Sequence, residues 1–358
     1  MKVLFFANRI KYGGGEKVRN WLAKTLSNNG INVYYAIPNS IKDYSEQLVE
    51  ADLNGIVKVV NFDFGQKKKN IIKYYYQISK LYKDNGIDMI IYFGGSLIEQ
   101  MAARNNGVRI LLSERFYNGF RPLPSRILKQ IQYRMSDGYV FQTPEASKTY
   151  GKRAERKGTI IPNPIIDNLP DPQFDYLRKE IVTAGRLMPQ KDHKTLVSAF
   201  AVFHQKYPDY KLIIYGSGPL KDALLKQIAD LHIGDSVNII SGKTNISELE
   251  RGAELFVLSS LAEGMPNALI EAMSMGVMSI STDCPVYGSR MLVKHGQNGY
   301  LVPVGDIGKL AEMMCYAVED EKQANKIRRE SVKIRETLEE KKIAQRWIDY
   351  IYTIVAKS

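Results

Sequence analysis

The sequence predicts an α/β protein of two halves, each a parallel sheet with crossover helices. Three observations carry this. Short apolar strand-like runs alternate with helical patterns along the whole chain, the arrangement that lays helices over a parallel sheet. The segment PNPIIDNLPDPQ at 162–173 contains four prolines and separates two such series, as a linker does. A length of 358 residues suffices for two domains.

In the first series, strands are expected near 2–7, 33–37, 57–62, 88–93, 109–113, 138–142 and 159–161. Between the first two, Val18, Trp21, Leu22 and Leu26 line one face of a helix that Gly30 is placed to end. The second series begins near 181 and continues at 211–216, 237–241, 255–259, 277–281 and 299–304. No sequence repeat relates the halves, so their similarity is architectural. A final helix, roughly 341–358, sets Ile343, Trp347, Ile351 and Ile354 on one stripe. It either caps the second half or returns to the first.

Composition narrows the class. Apolar residues make up 44% and charged residues 25%, ordinary for a soluble globular protein. No apolar run approaches the ~18 residues of a membrane-spanning helix. MKVLFFANRI turns polar too soon for a secretory signal and reads as a first core strand. Two cysteines, Cys284 and Cys315, supply neither a metal site nor a disulfide framework, which favours a reducing cytoplasm. Residues 1–165 hold 26 Lys and Arg against 13 Asp and Glu, while the remainder is nearly neutral. The basic first half suits an anionic membrane or an anionic acceptor. Charge and 22 tyrosines also raise a nucleic-acid-binding protein, but the expected recognition motifs are absent.

The most informative stretch is EGMPNALIEAMSMG at 263–276, with Glu263 and Glu271 eight positions apart. AELFVLSS before it reads as a buried strand, and Pro266 suits the first helical position. The backbone N–H groups of Asn267, Ala268 and Leu269 then open a helix, a natural seat for phosphate. Two acids beside an anion site would repel phosphate and are better used on sugar hydroxyls, which suggests a sugar nucleotide. Taken singly, Glu263 would belong to a solvated loop and Glu271 to an exposed helix face.

The whole string E-G-x-P-N-x-x-x-E-A-x-x-x-G resembles the E-x7-E signature of retaining glycosyltransferases, particularly family 4. That resemblance implies the GT-B fold: two Rossmann-like domains with parallel sheets facing across a cleft, the last helix crossing back to the first. The expected boundaries are then 1–163 plus 341–358 for an acceptor-side domain and 164–340 for a donor-binding domain. Gly264 and Pro266 belong to the same donor-binding string. By the resemblance, Glu271 holds ribose hydroxyls and Glu263 the donor sugar.

Other segments bear on the same reading. TAGRLMPQKDHKTL at 183–196 places Arg186 and Lys191 five residues apart across a strand-to-helix loop. Fixed cations there stabilise a diphosphate as it leaves, and the segment resembles the family's G-R-L-x-x-Q-K-D element. Gly13, Gly14 and Gly15 can expose backbone N–H groups in a nest. GGGEKV resembles the family's G-G-A-E-R-V loop, which reaches the donor pyrophosphate. It is not a dinucleotide fingerprint, because Glu16 to Arg19 supply no further glycine. IYGSGP at 214–219, with Gly216, and SGK at 241–243, with Gly242 and Lys243, are strand-end turns. They either touch the nucleotide or are plain turn chemistry.

No D-x-D sequence occurs, and the four histidines are scattered through the second half. The expectation is therefore no cofactor and no metal, with the nucleotide-sugar as substrate. His193 is read as structural. Many relatives carry an acceptor-side histidine in the first domain; this chain has none there, and Ser96 or Glu99 after IIYFGG are the substitutes. LLSERF at 111–116 resembles an S-E-R element of bacterial family 4 enzymes building surface polysaccharides and lipid-linked oligosaccharides. Glu114 and Arg115 either face the acceptor or form an internal ion pair. Two basic tracts, 67–83 with Ile71, Tyr75, Ile78 and Tyr82, and 121–134 with Ile127, Leu128 and Ile131, are either packed helices with solvated lysines or membrane-contacting ones.

The expected function is transfer of a sugar, from a UDP-sugar by preference, to a saccharide or polyprenyl-linked acceptor in capsule, exopolysaccharide or envelope glycan synthesis. The setting is cytoplasmic, peripheral on the inner face of the membrane, with no nucleic acid. A sugar-nucleotide epimerase or phosphorylase on the same fold is the alternative.

Overall fold

The computed structural model describes all residues except 8–9, 11–12, 116–122, 167–168, 243–245 and 357–358. The chain divides into two compact units: Met1–Ile166 with Glu340–Ser358, and Asp167–Glu339.

Among the described residues the first unit holds β1 (Lys2–Phe6), β2 (Asn32–Pro38), β3 (Val57–Phe62), β4 (Met89–Tyr92), β5 (Arg109–Ser113), β6 (Gly138–Phe141) and β7 (Gly158–Ile160). They form one sheet in the order β3-β2-β1-β4-β5-β6-β7, every described pairing parallel. The second unit holds β8 (Arg178–Ala184), β9 (Lys211–Tyr215), β10 (Val237–Ile240), β11 (Ala253–Leu258), β12 (Met278–Thr282) and β13 (Tyr300–Val302). Their order is β10-β9-β8-β11-β12-β13, again parallel. Each strand lies within a few residues of its expected position. The runs are legible because strands covered on both faces must be continuously apolar. β4 and β6, for example, are buried at every residue.

The first helix, Gly14–Asn28, buries Val18, Trp21, Leu22 and Leu26. The last, Glu340–Ala356, packs in the first unit: Ile343, Trp347, Ile351 and Ile354 share its core with Val3, Phe5 and Leu22. Trp21 Nε1 donates to Glu340 Oε1 at 2.8 Å, and Tyr350 Oη accepts from Tyr139 N at 3.0 Å. Burying that stripe, Trp347 included at 0% exposure, is worth several kcal/mol.

The stripe expected on the 67–83 tract is rotated. Helix Ile71–Asn85, capped by Asn70 and ended by left-handed Gly86, buries Tyr74, Ile78, Leu81 and Tyr82. Ile71, Ile72 and Tyr76 are exposed instead. The reason is a partner for Tyr74: its hydroxyl donates to Glu99 at 2.6 Å inside the fold. Helix Leu123–Met135 leaves Ile127, Leu128 and Ile131 exposed while Lys129, Gln132 and Tyr133 point inward. Among the described residues no helix is long and apolar enough to cross a membrane.

Candidate active site

Parallel sheets gather their loops at the strands' C-terminal ends, where ligands of such folds bind. In the second unit the loops after β8 and β11 are laced together there. Leu261 N donates to the Gln190 carbonyl at 2.8 Å, and Gln190 Nε2 donates to the Ala262 carbonyl at 2.7 Å. Ser259 Oγ donates to the Lys191 and Asp192 carbonyls, each at 3.0 Å. Asp192, in the left-handed region at φ 47°, caps helix His193–Lys206 by accepting from Thr195.

This lacing sets Lys191 against Glu263. Lys191 Nζ donates to Glu263 Oε1 at 2.5 Å, and Ser260 Oγ donates to the same oxygen at 2.6 Å. Glu263 is 8% exposed. Its backbone is fixed too: Glu263 N donates to Pro285 O at 2.9 Å, and Val286 N to Glu263 O at 3.2 Å. The geometry makes one cation–carboxylate unit from residues 72 positions apart. Arg186 lies on the same β8 loop and is exposed.

The helix expected after Glu263 runs Asn267–Ser274, with Pro266 at its N-cap rather than in its first turn. Proline's φ of −78° fits either place, but ψ of 110° is extended. The helix ladder opens with Ile270 N to Pro266 O at 3.2 Å. The first-turn amides of Ala268 and Leu269 therefore have no acceptor within the helix. Leu269 is buried and Glu271 half-buried on this helix.

Glycines around the site have packing reasons that motif reading alone does not separate. A Cβ on Gly216 would meet the Gly185 carbonyl oxygen at 2.0 Å, and one on Gly218 the Leu187 oxygen at 2.5 Å. These glycines let the β9 loop press on the β8 loop that carries Arg186. Gly242 is exposed, at φ 76°; Lys243 lies outside the described residues. Gly288 was not singled out from the sequence: its Cβ would fall 1.6 Å from the Gly264 oxygen, so the site is braced from behind by a residue 24 positions on. Ser260 was also missed. An SS pair at a strand end carries no distinguishing signal.

Two groups beside the pair are shifted by burial. His193, 2% exposed, is pushed down to about 4 by burial and then by the Lys191 charge. Neither ring nitrogen meets a hydrogen-bond partner at standard geometry, although the nearby Arg186 backbone favours the charged ring slightly. The imidazole is thus neutral, in keeping with a structural role. Burial and Glu263 push the Cys284 thiol up to about 11.

In the first unit, Gly14 and Gly15 open helix Gly14–Asn28 instead of forming a free nest, and Gly13 is its N-cap. A Cβ on Gly13 would lie 2.4 Å from Glu16 Oε2, so a carboxylate folds back over this helix start. Glu99 is inside the fold: it accepts from Tyr74 Oη at 2.6 Å and from Ser96 N at 3.1 Å, with Lys67 Nζ at 3.7 Å. Ser96 is the N-cap of that helix. Both residues are employed in starting helix Leu97–Asn105.

The pair Glu114 and Arg115 separates. Glu114 is buried, ion-paired with Lys129 and accepting from Tyr150 Oη at 3.1 Å. Arg115 turns away from it, to the ends of β4 and β7. Its Nε donates to Ser113 Oγ at 3.0 Å and its Nη1 to Asn163 Oδ1.

Comparison with known proteins fits this picture. Residues 170–334 match the family model described as glycosyl transferases group 1. An uncharacterized glycosyltransferase of Haemophilus influenzae is 28% identical over 325 residues, 87% of this chain and 88% of that protein. A Campylobacter jejuni 4-alpha-N-acetylgalactosaminyltransferase, whose named substrate is a diphospho-undecaprenol-linked sugar, is 29% identical across 48% of this chain and 46% of its own. Anabaena Alr3699/HepE, solved with UDP and glucose, superposes with a TM-score of 0.79 at 17% identity, covering 99% of this chain and 100% of that one. The second unit carries a group 1 glycosyltransferase domain, on two parallel-sheet Rossmann-like units of the GT-B architecture. The chain is thus similar to group 1 glycosyltransferases over its second unit and shares the fold of GT-B glycosyltransferase structures.

Proposed function

We propose that the protein is a retaining, family 4 glycosyltransferase. It takes a nucleotide-sugar, a UDP-sugar by preference, and glycosylates a saccharide or polyprenyl-linked saccharide in bacterial envelope or capsule synthesis. The observation that carries this reading is the locked Lys191–Glu263 pair, followed directly by a helix whose first-turn Ala268 and Leu269 amides have no acceptor within it. In this reading Arg186, Lys191 and the Ala268 and Leu269 amides take the diphosphate, and Glu271 takes the ribose. Glu263 takes the donor sugar, exchanging part of its hold on Lys191 for sugar hydroxyls. Charge grows on the diphosphate as the glycosidic bond breaks, so fixed cations act more on the transition state than on the ground state. The departing phosphate oxygen accepts the acceptor's proton on the same face, and neither a protein nucleophile nor a metal is required.

HepE bound to UDP and glucose supports a UDP-sugar, and the Campylobacter relative's named substrate supports a lipid-linked acceptor. A peripheral membrane position on the cytoplasmic side is supported by the basic first half and by exposed Ile72, Tyr76, Ile127, Leu128 and Ile131. Binding to anionic vesicles that is lost in high salt is expected; binding to neutral vesicles alone would refute that part.

The deciding experiment screens UDP-, GDP- and ADP-sugars for protection against thermal unfolding. A donor at 100 times its Kd stabilises by about 2.7 kcal/mol. Arg186→Ala and Glu271→Ala should fold normally yet lose that protection and sugar transfer. If both work as well as the parent, the reading fails. Donor turnover without any acceptor would point to an epimerase.

A further inference from the structure

Among the described residues of the first unit, Arg115 has no acidic partner. Arg115 follows β5 directly, its guanidinium centred 5.0 Å over the Phe93 ring and 5.8 Å over Trp347, two rings that stack on each other at 6.4 Å. Its acceptors, Ser113 Oγ and Asn163 Oδ1, are both neutral, and Asn163 is held in turn by Gln142 Nε2 at 2.8 Å. The Nη2 nitrogen is buried and meets no hydrogen-bond partner among the described residues. Among the described residues no carboxylate pairs with Arg115; Glu114 next to it is already taken by Lys129 and Tyr150. Burial alone pulls the guanidinium down to about 9, so the fold holds this charge at a cost.

Cations drawn out of water are ordinarily paired, and Arg115 is half-buried. A half-buried guanidinium with no acid beside it, lying against two aromatic rings at the ligand-binding edge of a parallel sheet, suits an anionic oxygen supplied from outside. Phe93, Arg115, Gln142 and Asn163 all follow strands of this sheet at that edge. We propose that Arg115 binds the phosphate of a phosphate-ester acceptor, with Asn163 and Ser113 fixing its orientation. The proposal rests on the glycosyltransferase reading for the word acceptor only; anion binding at Arg115 is testable without it.

Trp347 provides the readout. In a Trp21→Phe background it is the sole tryptophan, and UDP at saturation keeps added phosphates off the Arg186 and Lys191 loop. Farnesyl diphosphate should change Trp347 emission saturably, and farnesol should not. Asn163→Asp installs an internal carboxylate against Arg115 while keeping both hydrogen-bond acceptor roles. It should weaken farnesyl diphosphate at least tenfold in a protein that still folds, and Arg115→Gln should do the same. A match by inorganic pyrophosphate assigns recognition to the phosphate group; tighter binding of the prenyl compound adds a lipid contact. Equal responses to farnesol and farnesyl diphosphate, no response to any, or unchanged binding in both variants would overturn the proposal. Donor protection by UDP-sugars is independent of these outcomes, so the two readings fail separately.

Discussion

Lys191→Ala tests whether the cation–carboxylate unit is a real feature of the resting enzyme. Removing Lys191 leaves Glu263 at 8% exposure with Ser260 on one oxygen. Breaking a fully buried pair costs about 3–5 kcal/mol. The side chains here retain 19% and 10% of their exposure, which brings the expected loss to about 2–3 kcal/mol. For a unit of this size that is a fall in Tm of roughly 5–10 °C. Glu263→Gln in the Lys191→Ala background should restore part of it, giving a double-mutant coupling of about 2 kcal/mol. The assay is thermal or urea unfolding of parent, both single variants and the double, each with and without UDP. If Lys191 turns to the diphosphate when donor binds, the coupling should drop below about 1 kcal/mol with UDP. Coupling under about 0.5 kcal/mol in the free protein would refute the argument.

Three further outcomes are expected. The folded pKa of His193 lies below its unfolded value, so protonation favours the unfolded chain. Its contribution is intact above about pH 6.5 and is lost as pH falls towards 4, about 3 kcal/mol in all; His193→Gln should flatten that part of the pH–stability curve, and an identical curve would contradict the assignment. Gly288→Ala forces a methyl onto the Gly264 carbonyl and should cost about 1–3 kcal/mol in urea unfolding, with weaker donor protection because the Glu263 loop must move. Trp347→Ala should cost about 3–5 kcal/mol, seen as lost unfolding cooperativity of the first unit; a surface-like effect would mean the last helix does not belong to that core.

Much of the fold was readable because parallel strands buried on both faces are written as apolar runs, and because a proline cluster marks the break. Helix faces were read less well. Tyr75 and Tyr74 are equally apolar neighbours, and the buried Glu99 oxygen together with the Phe62 and Phe64 rings takes Tyr74 inward. The site divides along the same line. Arg186, Lys191 and Glu263 lie in strand-end loops and Glu271 on the helix that follows, all within recognisable strings, so the sequence offers them directly as candidates. Ser260 and Gly288 have no string of their own.

The sequence by itself determined two parallel-sheet halves, a basic first half, and a sugar-nucleotide vocabulary of acids, cations and helix starts. Spacing cannot say which charges meet. Only the folded loops after β8 and β11 bring Lys191 onto Glu263. Only the packing after β4 and β5 sets Arg115 against the stacked Phe93 and Trp347 rings with no acid among the described residues, while Glu114 beside it takes Lys129. The physical reason is that ionic contacts act over a few ångströms, and those distances are set by backbone approach between segments far apart in the chain.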